Sequence, residues 1–505
     1  MQTIRLIGRS SRLSLLQIEI ARQKILSVLP DIKVEVIARS SRGDQLQDIP
    51  LQTVEGSDFF TQDIFDSLMN GEADIAVHSL KDMSSEHFFG ENKFAVIDRD
   101  DTRDVVILNQ NSKVKIQNGE DLIIGTCSPR REEMAIGFLQ KALPQIGNKF
   151  KVVTKTIRGN VDTRLRKLDT GEYDGIILAT AGLNRLLNSD EDAAAIKKLL
   201  SDKKLMLLPL IECVPAPCQG AIVAEAHYEN KKAIEVLNKI NSQQLFNDCV
   251  SEKKAGSSYG RGCLQQFGVT TISYAGGSVL YAAGKDENGN QFTHWYDMPE
   301  LKTDGKNLFS SSDHMGGFFE YEYLDSKPAI DESIVYVSNY KAIKDPALLK
   351  NKRVWASGTK TWYELAKQGI WVEGCADAFG LEFLEKAWAM PMFNIKKDNV
   401  HVVTNKTGAE NWRKKGWKAT GTYATTSHQK KEIKEQIETA DIIFWTSFQQ
   451  YELYRDVLKK NVEHVCPSGE TAVLLKDAGI EPIVFPNIKA FQQWKKTSSR
   501  LRSED

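Results

Sequence analysis

The chain lacks most features that would place it outside the ordinary globular classes. No run of 18 apolar residues occurs among its 505, so the pattern predicts no membrane-spanning helix. The opening MQTIRLIGRSSRLSLLQ sets Arg5 and Arg9 where a secretory leader would need an apolar core, and a cytoplasmic protein is expected. Cysteine is scarce: seven, at 127, 213, 218, 249, 263, 375 and 466, widely scattered with no C-x-x-C pair. That pattern indicates neither a disulfide framework nor a zinc site, and no metal is expected. A net charge of only -1 removes any global pull towards nucleic acid or membrane. G-x-G-x-x-G, the Walker lysine loop and H-E-x-x-H are all missing, which leaves nucleotide-binding and zinc-protease readings without support. Neither a repeat nor a low-complexity segment stands out.

What is present is an ordinary soluble composition, 41% hydrophobic and 26% charged. A chain this long exceeds one hydrophobic core and should divide into about three or four domains. The charge is uneven. Residues 41–110 carry 5 Lys/Arg against 15 Asp/Glu, and residues 121–170 carry 10 against 5, so an acidic lobe beside a basic one suggests a cleft for an anion.

The first 225 residues alternate strand and helix patterns: IRLIG, a helix over 13–29, VEVIAR, a helix over 60–69, DIAVHS, then VVIL, LIIGT, KVVTKTI and GIILAT with helices over 130–139 and 161–168 between them. That rhythm predicts α/β sheets with crossover helices, whose ligand crevice lies at the carboxyl ends of the strands. Three polar motifs fall there: GRSS, HSLKD and GTCSPRR. Residues 228–325 change character, with a helix over 231–240 and strands FGVTTISYA and SVLYAAGKDENGNQFTHWY around a turn at Asn288-Gly289, a small α+β unit. From about residue 333 the α/β rhythm resumes through SIVYVS, RVWASG, VHVVTN, DIIFWTS and HVCPSG.

In GTCSPRRE, Pro129 stands at the first turn of a predicted helix. Free backbone N–H groups plus Arg130 and Arg131 there make an anion site, although a capped helix with two solvated arginines would read the same way. TIRGNVDTRLRKL adds Arg158 and Arg164 near a strand end, which favours a carboxylate or phosphate ligand. In IAVHSLKDM the bland reading is a Lys81–Asp82 surface pair. Among so many cations, however, Asp82 would stay ionised, suited to stabilising a developing positive charge or moving a proton. His78 reads as a satisfied structural residue. Cys263, in YGRGCLQQFG, sits in a glycine-flanked loop, the kind of place where a thiol serves as nucleophile rather than as filler.

Taken in order, IGRSSRLSLLQ, SRGD, ADIAVHSLKDM, GTCSPRRE, IRGNVDTRLRKLDTGEYDGIILATAGLNRL, PAPCQGAI and RGCLQQFG resemble the porphobilinogen deaminase (hydroxymethylbilane synthase) family over residues 1 to about 325. The resemblance implies two periplasmic-binding-protein-like domains (1–104 with 207–227, and 105–206) and a third α+β domain at 228–325. It also implies a dipyrromethane cofactor held covalently by Cys263, with porphobilinogen as the substrate that is deaminated and polymerised. Asp82 matches the catalytic aspartate. Lys81, Thr126, Ser128, Arg130, Arg131 and Arg164 fall on cofactor-contact positions, and Arg9, Ser11, Gln17, Arg158, Arg185 and Gln219 on substrate-contact positions. Two departures stand out: VEGSDFFTQD (54–63) is acidic and lysine-free where the family has a glycine-rich, lysine-containing loop, and Arg261 replaces one of a glycine pair before the cysteine.

Residues 333–505 resemble a shortened uroporphyrinogen III synthase, again α/β, which implies a C-terminal site around Tyr423, Ser447, Ser468 and Thr471 and cyclisation of the linear product. No counterpart to that family's opening strand is evident. A monomer without nucleic-acid or membrane partners is expected. Two rival readings are a deaminase with a non-catalytic docking module and a non-catalytic anion binder on the same fold. Asp82 and Cys263 together favour the enzyme, since an anion binder needs neither.

Overall fold

The computed structural model describes residues 3–40, 61–89, 92–260, 265–314, 316–324 and 329–501. Cys263, Arg261, the SRGD motif and most of the lysine-free segment lie outside these. Among the described residues no helix is long and apolar enough to cross a membrane.

Two five-stranded sheets form the first half. One runs Lys33–Arg39, Thr3–Arg9, Ile75–Ser79, Ala221–Ala226, Lys93–Arg99, and the other Val152–Lys155, Leu122–Gly125, Gly175–Ala179, Asp104–Leu108, Lys204–Leu207. Two of the four pairings in each sheet are parallel, and each sheet contains one strand antiparallel to both its neighbours, Ala221–Ala226 in the first and Asp104–Leu108 in the second. These two follow the points where the chain crosses between sheets, at 99–104 and 207–221. The strands are covered on both faces, which is why Ile75, Ala76 and Val77, all nearly fully buried, read as an unbroken apolar run.

Helix Gln243–Ser257 packs beside a three-stranded antiparallel sheet, Gln266–Tyr274, Gly277–Lys285 and Gln291–Tyr296, whereas helix Lys231–Ile240, expected in the same α+β unit, packs through Ala233, Val236, Leu237 and Ile240 into the core of the first five-stranded sheet. Its first hairpin closes through the two residues Ala275-Gly276, with Gly277 at φ +130°. The Gly256–Gly260 stretch has the spacing G-x-S-x-G, but it ends a helix rather than joining a strand to one, so it forms no nucleophile elbow.

The last part holds a six-stranded sheet (Glu320–Tyr323, Lys418–Thr426, Val400–Asn405, Ile334–Val337, Arg353–Ala356, Val372–Cys375) and a four-stranded parallel one (Leu308–Ser310, Ile442–Phe444, Glu463–Pro467, Ile483–Phe485). Here the structure departs from the expected boundary at 325. Leu308–Ser310 pairs with Ile442–Phe444, and Glu320–Tyr323 pairs with Lys418–Thr426. Both strands therefore belong with the C-terminal sheets, and Leu308–Ser310 opens them as the strand the sequence had not revealed. Three residues behind a polar loop are too few for a period to show.

The two halves share one core. Val106, Leu108, Phe138 and Leu139 of the second sheet's layer are continuous with Val335, Val337, Trp362 and Leu365. Trp362 meets Phe138 edge-on with centroids 5.0 Å apart, and its indole N–H donates to the Ala142 carbonyl at 3.0 Å. A buried tryptophan whose one polar atom finds a partner is a stable join.

Candidate active site

The end of strand Ile75–Ser79 turns directly into a 3-10 turn, Leu80–Asp82, which carries Lys81 and Asp82 out of the sheet. The turn is held from behind. Leu80 and Met83 are buried, and Lys253, from helix Gln243–Ser257, donates to the Met83 carbonyl. His78 is buried with Nε2 3.3 Å from Glu225, which also receives His87 at 2.8 Å and Asn92 at 2.9 Å. Interactions with the two imidazoles, winning over burial, hold Glu225 down at about 2, so this carboxylate is a fixed anion under the turn. His78 is thus buried beside Glu225, but its Nε2 has no hydrogen bond of good geometry, unlike the satisfied residue expected from the sequence.

Facing the turn is helix Pro129–Ala142, with Pro129 in its first turn and Ser128 as its cap, accepting from the Arg131 N–H. Arg130 and Arg131 do not point freely into solvent. Asp104, only 1% exposed, accepts from Arg130 (2.8 Å), from Arg131 twice (2.8 and 3.2 Å) and from Gln219 (2.9 Å). Arg130 also donates to the Val214 carbonyl and Arg131 to that of Ile177. Against the cost of burial, these guanidiniums keep Asp104 ionised far below the usual carboxylate range.

Lys81 feels the charges of Asp82, Arg131, Asp104 and Arg130. Its side chain reaches solvent, yet crowding in the cleft and then the two arginines lower its pKa. Arg164 donates to the Gly159 carbonyl at 2.7 Å, hydrogen-bonds Cys127 and lies near Arg131 and Arg158; burial and then the arginines depress it. One continuous patch thus gathers Lys81, Arg130, Arg131, Arg158 and Arg164, with Asp82 and Asp104 as the carboxylates felt at Lys81. Cations crowded to the point of depressing one another favour anionic ligands.

The remaining predicted residues are placed differently. Thr126 is fully buried and its hydroxyl accepts from the Ser128 N–H. Gln219 is buried on Asp104 and the Thr102 carbonyl, and Arg185 donates to the Gly220 carbonyl at 2.6 Å. Both therefore brace the crossovers. Gln17 is buried on helix Arg12–Val28, Ser11 precedes that helix, and Arg9 is half-buried at the end of Thr3–Arg9. In the C-terminal sheets Tyr423 is buried against Tyr321 and hydrogen-bonds Asn405, whereas Ser447 caps helix Phe448–Tyr454, Ser468 accepts from the Ala275 N–H, and Thr471 is half-buried in helix Glu470–Asp477. Tyr423 stands in the six-stranded sheet, and the other three border the four-stranded one.

A family model described as "Porphobilinogen deaminase, dipyromethane cofactor binding domain" matches residues 4–235. A porphobilinogen deaminase of Nostoc is 34% identical over 273 residues, covering 54% of this chain and 77% of that protein. One of Syntrophomonas wolfei is 34% identical over 284 residues, covering 56% and 85%. A probable porphobilinogen deaminase of Picrophilus torridus is 34% identical over 266 residues, covering 53% and 84%. The chain belongs to the porphobilinogen deaminase family.

As a porphobilinogen deaminase it is a transferase, and its first half is the domain that binds the dipyrromethane cofactor. The cationic patch fits that group, whose two pyrroles carry acid side chains. Sequence reasoning missed Asp104, which holds Arg130, Arg131 and Gln219, and Glu225 and Lys253, which lie behind the Leu80–Asp82 turn. Nothing in RDDTRDV separates Asp104 from its two neighbouring aspartates, Asp100 and Asp101; only its burial does.

Proposed function

We propose that the first half makes hydroxymethylbilane from four molecules of porphobilinogen in the cytoplasm, as a monomer, with the cofactor attached through Cys263 and Asp82 as the catalytic group. The observation that carries this reading is one carboxyl side chain, Asp82, on a turn held from behind and beside a patch of five cations. The dipyrromethane, when bound, supplies a free pyrrole carbon as the nucleophile that accepts each incoming unit. Asp82 accepts from the substrate's pyrrole N–H and stabilises the positive charge that develops as ammonia leaves. Lys81, Arg130, Arg131, Arg158 and Arg164, with Arg9, Ser11 and Ser128 at the rim, hold the acetate and propionate groups. Asp104 keeps two of those guanidiniums aimed, so the patch is ordered before ligand arrives. Thr126, Gln17, Arg185 and Gln219 serve this reading from behind the cleft wall. Asp82→Asn keeps shape and removes charge: cofactor mass should be retained and porphobilinogen turnover fall by about 10²-fold or more, and unchanged turnover would end the assignment.

For residues from Leu308 onward the reading is a ring-closing uroporphyrinogen III synthase acting on that product, with Tyr423 beside its site. What supports it is the pair of mainly parallel sheets between which the chain passes twice, after Leu308–Ser310 and after Lys418–Thr426. Product isomer analysis of wild type and Tyr423→Phe tests it: the type III ring should form and diminish in the variant, and formation of the type I ring alone by wild type would exclude it.

A further inference from the structure

The loops at the carboxyl ends of the C-terminal strands are where an α/β sheet places its ligand. In this molecule three of them are turned onto the other half of the chain. Thr359 follows Arg353–Ala356, Asp377 follows Val372–Cys375, and Lys489 follows Ile483–Phe485. All three contact residues 210–212, inside the second crossover between the two cleft-forming domains. Glu212 receives Lys489 at 2.8 Å and Thr359 at 3.3 Å, and the Tyr363 hydroxyl hydrogen-bonds the same carboxylate. Two residues earlier in the chain, the Leu210 N–H donates to Asp377 at 3.1 Å, and the Asp377 loop holds positive φ at both Asp377 (49°) and Ala378 (64°).

An isolated Lys–Glu pair with one partner as exposed as Lys489 contributes little. This one differs because an ammonium and two hydroxyls, from helices Thr359–Lys367 and Ile488–Leu501 over different sheets, converge on one carboxylate. We propose that Thr359, Tyr363 and Lys489 form a carboxylate site of the C-terminal half whose built-in occupant is Glu212, so that this half latches the hinge of the deaminase cleft. The cleft domains are covalently joined only by the crossovers at 99–104 and 207–221. A change in their relative angle is therefore a change in backbone torsions there, and fixing 210–212 fixes one of the two hinges. The latch is independent of whether the C-terminal half closes rings.

The test is hydrogen exchange, followed by mass spectrometry, on the full chain as wild type, Glu212→Gln, Lys489→Ala and the double variant. Lys306→Ala, which cuts the exposed Lys306–Glu463 pair in the same half, serves as control. Each latch variant should speed exchange in 208–212 and in 99–104 by roughly 3- to 10-fold, and the double variant should go no faster than the stronger single, because both remove one shared contact. Unchanged or slower exchange, additive effects of the two substitutions, or an equal acceleration in Lys306→Ala would overturn the latch.

Discussion

Replacing Asp104 by Asn is the most informative perturbation of the patch. The side chain keeps its shape, but one oxygen becomes an N–H pair facing donors, and the carboxylate shared by Arg130 and Arg131 loses its charge. Asp104 is 1% exposed and both arginines are nearly as buried, so water cannot replace the missing partner. Breaking a buried pair by removing one member costs about 3–5 kcal/mol, because the other charge is left uncompensated. Here two are left. Since each 1.4 kcal/mol is tenfold, native-state hydrogen exchange in Asp104–Leu108 and Pro129–Ala142 should accelerate on the order of 10²- to 10³-fold where opening breaks this contact. Strands Ile442–Phe444 and Glu463–Pro467, in the four-stranded C-terminal sheet, serve as an internal reference. The cofactor-bearing fraction, read by intact mass, should fall in parallel as the two guanidiniums lose their aim. Acceleration below about tenfold, confined to no particular element, would show that the arginines are held by the Val214 and Ile177 carbonyls alone and that Asp104 is not their organiser.

Two further outcomes follow from buried groups. Burial, outweighing Arg103 and the Leu210 and Ile211 N–H groups, raises the Asp377 carboxyl from 3.8 to about 7, with Glu212 adding to the rise and Cys375 close by. The folded state then holds a proton that the unfolded state has lost, so stability should fall as pH rises from about 4 to about 7, by at most about 4 kcal/mol. Thermal unfolding across that range should show the slope in wild type and a flatter one in Asp377→Asn; equal slopes would contradict the assignment. Trp362→Ala should cost about 3–5 kcal/mol in urea unfolding, with both halves loosening together by hydrogen exchange, whereas a loss confined to the C-terminal sheets would show that the shared core does not couple them.

Much of the first half was legible because its constraints are local. The apolar run Ile75–Val77 followed by HSLKD forecast a buried strand ending in a polar turn, and Pro129 after Ser128 forecast the start of its helix. What the residues could not convey was direction. Arg130, Arg131, Arg185 and Gln219 read alike as ligand groups, yet Asp104 fixes the direction of the two adjacent arginines while crossover carbonyls take up Arg185 and Gln219, contacts without any sequence period. The same blindness hid Leu308–Ser310, whose identity as a strand depends wholly on its partner Ile442–Phe444, over 130 positions away. Ser447 and Ser468 matched a site by type, but their hydroxyls serve a helix cap and the Ala275 N–H, respectively.

The central claim, a porphobilinogen deaminase carrying its primer on Cys263, is tested most directly by intact-mass spectrometry of the purified protein and of Cys263→Ala, alongside porphobilinogen consumption. The account predicts an added mass equal to a dipyrromethane on the wild type, none on the variant, and consumption by the wild type alone. A wild-type protein of unmodified mass that leaves porphobilinogen untouched would contradict it.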